Sequence, residues 1–115
     1  MNVHPMKLTP APFEMIKSGQ KTIELRLFDE KRKKIQPGDT IVFTNTQTAE
    51  ELNVTVVALY CFDRFEELYK ALPLLKCGYT EETIAGAKPS DMEQYYSVDE
   101  QTKYGVVGIE IKRLY

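Results

Sequence analysis

The segment "KTIELRLF", Lys21 to Phe28, alternates strictly, with Ile23, Leu25 and Leu27 on one side and Thr22, Glu24 and Arg26 on the other. Successive strand side chains point to opposite faces, so this is the pattern of a half-buried strand. It sends Glu24 and Arg26 the same way, about 7 Å apart along the strand, near enough to pair or to converge on one ligand. Two further runs also demand extended backbone. "LNVTVVALYCF" is rich in branched and aromatic residues and reads as a central strand. "YGVVGIEIKRL" supplies Val106, Val107, Ile109 and Ile111 to a strand whose Gly105 and Gly108 suit a bulge or a close backbone approach. In "IQPGDTIVF", Pro37 fixes its φ, Gly38 supplies a positive φ, and Ile41 and Phe43 resume the alternation of another strand. Met6 to Leu8 is read as a short strand.

Between these runs lie helical signals. In "TPAPFEMIKSG", Pro10 or Pro12 suits a first turn, Phe13 and Ile16 share a face, and Gly19 stands where a C-terminal cap belongs. With Asp63 as N-cap, "RFEELYKAL" places Phe65, Leu68 and Leu72 at helical spacing. "TEETIAGA", "SDMEQYY" and "SVDEQTKY" read as short helical turns, the last two with capping-box signatures at Ser90/Glu93 and Ser97/Glu100. Strands toward both ends with helices inserted give an α+β class, expected as one domain over residues 1–115.

Several function classes drop out. No apolar run approaches the roughly 20 residues that cross a bilayer, and the start of the chain lacks a hydrophobic signal core, so a cytoplasmic protein without membrane partners is expected. Cys61 and Cys77 show no CxxC spacing and are read as reduced thiols. His4 is the one histidine, which excludes a histidine-rich metal centre and leaves one candidate for a Ser-His-Asp or Cys-His apparatus. No metal site is expected. The chain has no phosphate-cradling glycine motif, hence no expected cofactor. A net charge of −2 argues against indiscriminate nucleic-acid coating, and no DNA specificity is expected. Yet residues 7–34 carry eight Lys/Arg against four Asp/Glu, while residues 49–101 carry four against eleven. A basic face on an acidic body steers polyanions locally.

"GQKTIELRL", Gly19 to Leu27, resembles the G-x-K-x-x-E-x-R signature of ASCH domains, members of the PUA-like superfamily. The likeness to the bacterial branch of that family runs on through "PFEMIKSGQKTIELRLFDEKRKKIQPGDTIVF" and the terminal "YGVVGIEI". It implies a small PUA-like β-barrel flanked by short helices, with the signature strand lining a cleft suited to RNA or a modified nucleobase. Some small members of the family remove the acetyl group of N4-acetylcytidine, and ribonuclease activity has been described in others. The amidohydrolase signature reads G-x-K-x-x-T-x-R, with its lysine and threonine catalytic and a later glutamate completing the site. Lys21 and Arg26 match that pattern, but Glu24 stands at the threonine position. A carboxylate does not replace a hydroxyl nucleophile, although it can act as a general base on water. Glu81 and Glu82 in "LKCGYTEE" are the candidates for the later glutamate.

The expected binding set is Lys21, Glu24, Arg26, Lys31, Arg32, Tyr79 and Tyr104, for RNA or a nucleoside-like small molecule. In the alternative, Lys21 and Glu24 are the acid and base of a hydrolase acting on a modified cytidine or on RNA. Each element also has a bland reading. Lys21 is a surface lysine, Glu24 and Arg26 are a structural cross-pair, and Lys31, Arg32, Lys33 and Lys34 form a solvated loop. Tyr79, Tyr95, Tyr96 and Tyr104 either stack on bases or pack. A third reading makes the acidic region 49–101 a protein-docking surface.

Overall fold

The computed structural model describes residues 2–114. Five strands, β1 (Val3–Leu8), β2 (Ile23–Leu27), β3 (Thr40–Asn45), β4 (Glu51–Phe62) and β5 (Val106–Arg113), form one sheet in the order β1-β3-β4-β5-β2. β1 runs parallel to β3 and the other pairs are antiparallel. The sheet curves into a half-barrel, with α1 (Pro10–Ser18), α2 (Phe65–Ala71), α3 (Val98–Tyr104) and short 3₁₀ turns packed around it. The α+β class and the central place of "LNVTVVALYCF" are as the pattern implies. Among the described residues, no helix is long and apolar enough to cross a membrane.

The alternation of β2 is realised with a consequence that the pattern did not show. Ile23, Leu25 and Leu27 join Phe65, Leu68, Met92 and Val106 in a cluster under α2. Glu24 and Arg26 pair in register with Ile109 and Val107, whose side chains belong to the main core with Phe13, Ile41, Phe43 and Val54. The polar side of the strand therefore faces the inside of the half-barrel, not bulk water. Glu24 keeps only 3% of its surface exposed.

Local signals hold in part. Gly19 caps α1 in the left-handed region at φ 88°, and Gly38 takes φ 93° in the turn before β3. Ser97 and Glu100 form the capping box of α3. Three readings are corrected. The N-cap of α2 is Arg64, in extended conformation, not Asp63. Ser90 lies inside a 3₁₀ helix (Pro89–Gln94) and caps nothing, because Asp91 takes the Lys88 N–H instead. The bulge lies in β4, between Val56 and Ala58, rather than at the glycines of β5. Gly108 serves close approach: a Cβ there would meet Leu72 Cδ1 at 2.6 Å, so its bareness lets the segment after α2 sit on the sheet.

Candidate functional site

Lys21 is fixed by its backbone before its side chain acts. Once Gly19 has turned the chain out of α1, the Lys21 N–H donates to Met15 O at 3.0 Å and the Thr22 N–H to Lys76 O at 2.9 Å. β2 thus starts clamped between the end of α1 and the 3₁₀ turn Leu74–Lys76. The lysine stem lies against Gly78, whose φ of +111° suits glycine. Lys21 is buried, with 9% exposure, which removes the surface-lysine reading.

From that position Lys21 Nζ meets Glu24 Oε1 at 2.7 Å, while Arg26 Nε donates to Glu24 Oε2 at 2.8 Å. One carboxylate therefore binds two cations, one on each oxygen. Burial by itself would push the Glu24 carboxyl up, but the Lys21 ammonium and the Arg26 guanidinium overcome it and hold it below the usual 4.5. Burial would likewise lower the Arg26 value, and the Glu24 carboxylate reverses that. Arg26 has a second duty. Its Nη2 donates to Lys7 O at 3.0 Å, and because β1 and β2 are the two edges of the sheet, this bond bridges the open seam of the half-barrel.

A cleft of about 430 Å³ opens along that seam, within the usual 300–1,000 Å³ of small-molecule sites. Lys7, Leu8, Thr9 and residues of α1 form one lip, and Lys21, Glu24, Leu25 and Arg26 form another. The remaining wall comes from Tyr69 of α2 and the segment 77–96. There Tyr79 Oη donates to Asp91 Oδ2 at 2.8 Å and lies 2.7 Å from Tyr69 Oη. Burial pushes the Tyr79 phenol well up, reinforced by its bonds to Tyr69 and Asp91, so it stays protonated. Tyr96 stacks on Phe65 at a centroid distance of 6.4 Å, whereas Tyr95 is 64% exposed at the rim. Cys77 also lines the cleft, with burial pushing its thiol up to about 11, which makes it a poor nucleophile at neutral pH.

The structure gathers Lys21, Glu24, Arg26, Tyr79, Tyr95 and Tyr96 of the sequence candidates around this cleft, and leaves others outside it. Tyr104 lines a different depression beside Phe28 and Phe62. Lys31 and Arg32 are not among the lining residues; Arg32 Nη1 holds Asp29 at 2.8 Å just past β2. Glu81 and Glu82 are exposed and away from the cleft. The carboxylate that shares the cleft with Glu24 is Asp91, which the sequence shows only as one member of an acidic stretch. Lys7 and Tyr69 were also missed. Tyr69 lies one turn from Phe65 and packs edge-on against its ring at 6.3 Å, so its helical spacing marks it as core and gives no signal of a site. His4 has a carboxylate partner far along the chain, Asp39, at 2.9 Å, and does not line the cleft.

Comparison with known proteins places these observations in a family. A family model described as the ASCH domain matches residues 6–114. The crystal structure of hypothetical protein PH0355 superposes with a TM-score of 0.80 at 33% identity, covering 99% of this chain and 100% of that one. The solution structure of protein PF0455 from Pyrococcus furiosus gives a TM-score of 0.75 at 33% identity, covering 97% of each chain. ASCH from Zymomonas mobilis shares the fold, with a TM-score of 0.66 at 14% identity over 96% of this chain and 66% of that one. No curated protein matches the sequence.

Proposed function

The chain belongs to the ASCH domain family, and from that premise we propose that it binds RNA or a nucleoside-like ligand in the cleft along the seam between β1 and β2. The observation that carries this reading is the state of Lys21. It is buried and pre-positioned, it spends one N–H on Glu24, and among the described residues it has no other partner. Its remaining donors therefore serve a phosphate or carbonyl inside a cleft of nucleoside size, beside tyrosines able to flank a base. ASCH domains are associated with RNA binding, which agrees with this chemistry.

Hydrolysis by the Lys21 and Glu24 pair fits less well. A general base works best near the operating pH, and Glu24 has both oxygens on cations and a carboxyl held below the usual range. Its arrangement is that of an anchor which orients two cations. The deciding experiment measures short single-stranded RNAs by fluorescence anisotropy and mononucleotides by calorimetry, with wild type and Lys21→Ala whose fold is verified by circular dichroism. Loss of roughly tenfold to a hundredfold in affinity, the scale of a hydrogen bond to a charged group, is expected in the variant. Equal affinity in both proteins overturns the reading, and a Lys21-dependent product in the mixture would instead make the protein a hydrolase.

A further inference from the structure

We propose that the cleft selects nucleobases that carry an exocyclic amino group, and that Asp91 sets this selection by fixing the direction of the hydrogen-bond chain Tyr69–Tyr79–Asp91. The inference deepens the nucleobase reading above and rests on it. Tyr79 has a single hydroxyl proton and donates it to Asp91 Oδ2 at 2.8 Å. The 2.7 Å contact between Tyr79 and Tyr69 must then use the proton of Tyr69. Both phenol protons are committed, and what these side chains offer the cleft is lone pairs. The Lys88 N–H also donates to Asp91 Oδ2, so Oδ1 remains a further acceptor, without a protein partner among the described residues.

The same cleft is lined by donors at and just before β2: the spare N–H groups of Lys21 and the guanidinium of Arg26. A ligand that satisfies both walls has an N–H on one edge and a carbonyl or ring nitrogen on the other. Adenine, cytosine and guanine do so through an exocyclic amine next to an acceptor. Uracil presents its one N–H between two carbonyls, so any approach to the tyrosine and aspartate wall sets lone pair against lone pair. A wall of this kind rejects such a ligand, because filling the cleft strips water from these half-buried polar groups and leaves them unmatched.

Asp91 acts here as a positioning residue. Asp91→Asn keeps the side chain's size, yet in either orientation of the amide it places a new donor in the cleft. Either its NH₂ replaces Oδ1, or it donates to Tyr79 and reverses the chain, freeing a phenol proton. Tyr69→Phe removes one acceptor and leaves the Tyr79–Asp91 bond intact.

The test titrates the full chain with AMP, CMP, GMP and UMP, and with short oligoadenylate, oligocytidylate and oligouridylate. The three amino-bearing nucleotides should bind at least roughly tenfold tighter than UMP, the scale of one well-matched base contact. That ratio should fall toward one in Asp91→Asn and shrink in Tyr69→Phe, a change that a merely structural role for Asp91 would not produce, since it would weaken all ligands together. Equal binding of UMP by wild type, or a ratio unchanged in both variants, overturns the selection while the cleft reading stands. If wild type binds none of these probes, the cleft reading fails and the selection with it.

Discussion

Glu24 and Asp39 are both buried carboxylates that hold a basic side chain near a sheet edge, and they have opposite consequences. Asp39 accepts from the Asn2 N–H at 3.2 Å, the Gln36 N–H at 3.0 Å and His4 Nε2 at 2.9 Å. Every one of these partners is consumed in tying β1 to the turn before β3, and His4 does not reach the cleft. Glu24 also fills both oxygens, but its partners are long cations with donors left over, and those donors border an open cavity. Buried charge alone does not mark a site. Surplus hydrogen-bonding capacity next to empty space does.

Removing the anchor breaks the comparison most strongly. Glu24→Ala would leave Lys21 and Arg26 without their shared counter-charge in a largely buried pocket, and losing one partner of a buried ionic cluster costs about 3–5 kcal/mol. Urea denaturation should show that loss, with Glu24→Gln intermediate because the amide still accepts one hydrogen bond. A loss below about 1 kcal/mol would mean that water already solvates the cluster. Asp39→Asn should separate the two regions. It lowers the melting temperature, since the amide cannot accept three donors as well as a carboxylate does, but leaves RNA affinity where it was. An affinity change in Asp39→Asn would refute the separation.

Acid should act on both regions. The His4 bond and the Gln36 N–H lower the Asp39 carboxyl below its usual 3.8, and Glu24 is held below 4.5 despite its burial. Each folded value lies under the unfolded one, so each carboxylate contributes stability that is complete above its ordinary range and is lost as pH falls through the folded value. Stability should therefore hold from neutral pH to about 5 and drop below about 4.5, the unfolded carboxylate range. In Asp39→Asn the drop should be shallower, with the Glu24 part remaining. A wild-type melting temperature that stays flat from pH 5 to about 2.5 would contradict the coupling.

The sequence made half of this contrast legible. Strict alternation in "TIELRL" put Glu24 and Arg26 on one side, and the glycine turn put Lys21 at the mouth of the strand. It could not show that the side carrying Glu24 faces inward, because a strand buried on both faces needs a second layer, and that layer is supplied by α2 and Met92 from far along the chain. Asp39 read as an ordinary turn residue after Pro37–Gly38, since its partner His4 lies 35 positions away. Asp91 and Tyr69 were hidden for the same reason. An aspartate in an acidic stretch and a tyrosine on a helix become a wall only when the fold brings them to Tyr79.

The smallest effect concerns the basic segment after β2, and it distinguishes the cleft from its surroundings. Arg32 is engaged by Asp29 and Lys33 by Glu30, each three residues earlier, while Lys33 also lies over Phe28. Lys31 and Lys34 are exposed, without an acidic partner among the described residues, and they stand outside the cleft. They have charge to give a polymer but no place to touch a bound base. Lys31→Ala and Lys34→Ala together should leave mononucleotide affinity unchanged while flattening the salt dependence of single-stranded RNA binding by up to about 1.4 in log–log slope, roughly 0.7 for each phosphate contact. Lys21→Ala should weaken both ligands, because it acts where the base or its phosphate is held. If the double variant leaves the salt slope intact, the segment is a solvated loop, and recognition rests on the seam alone.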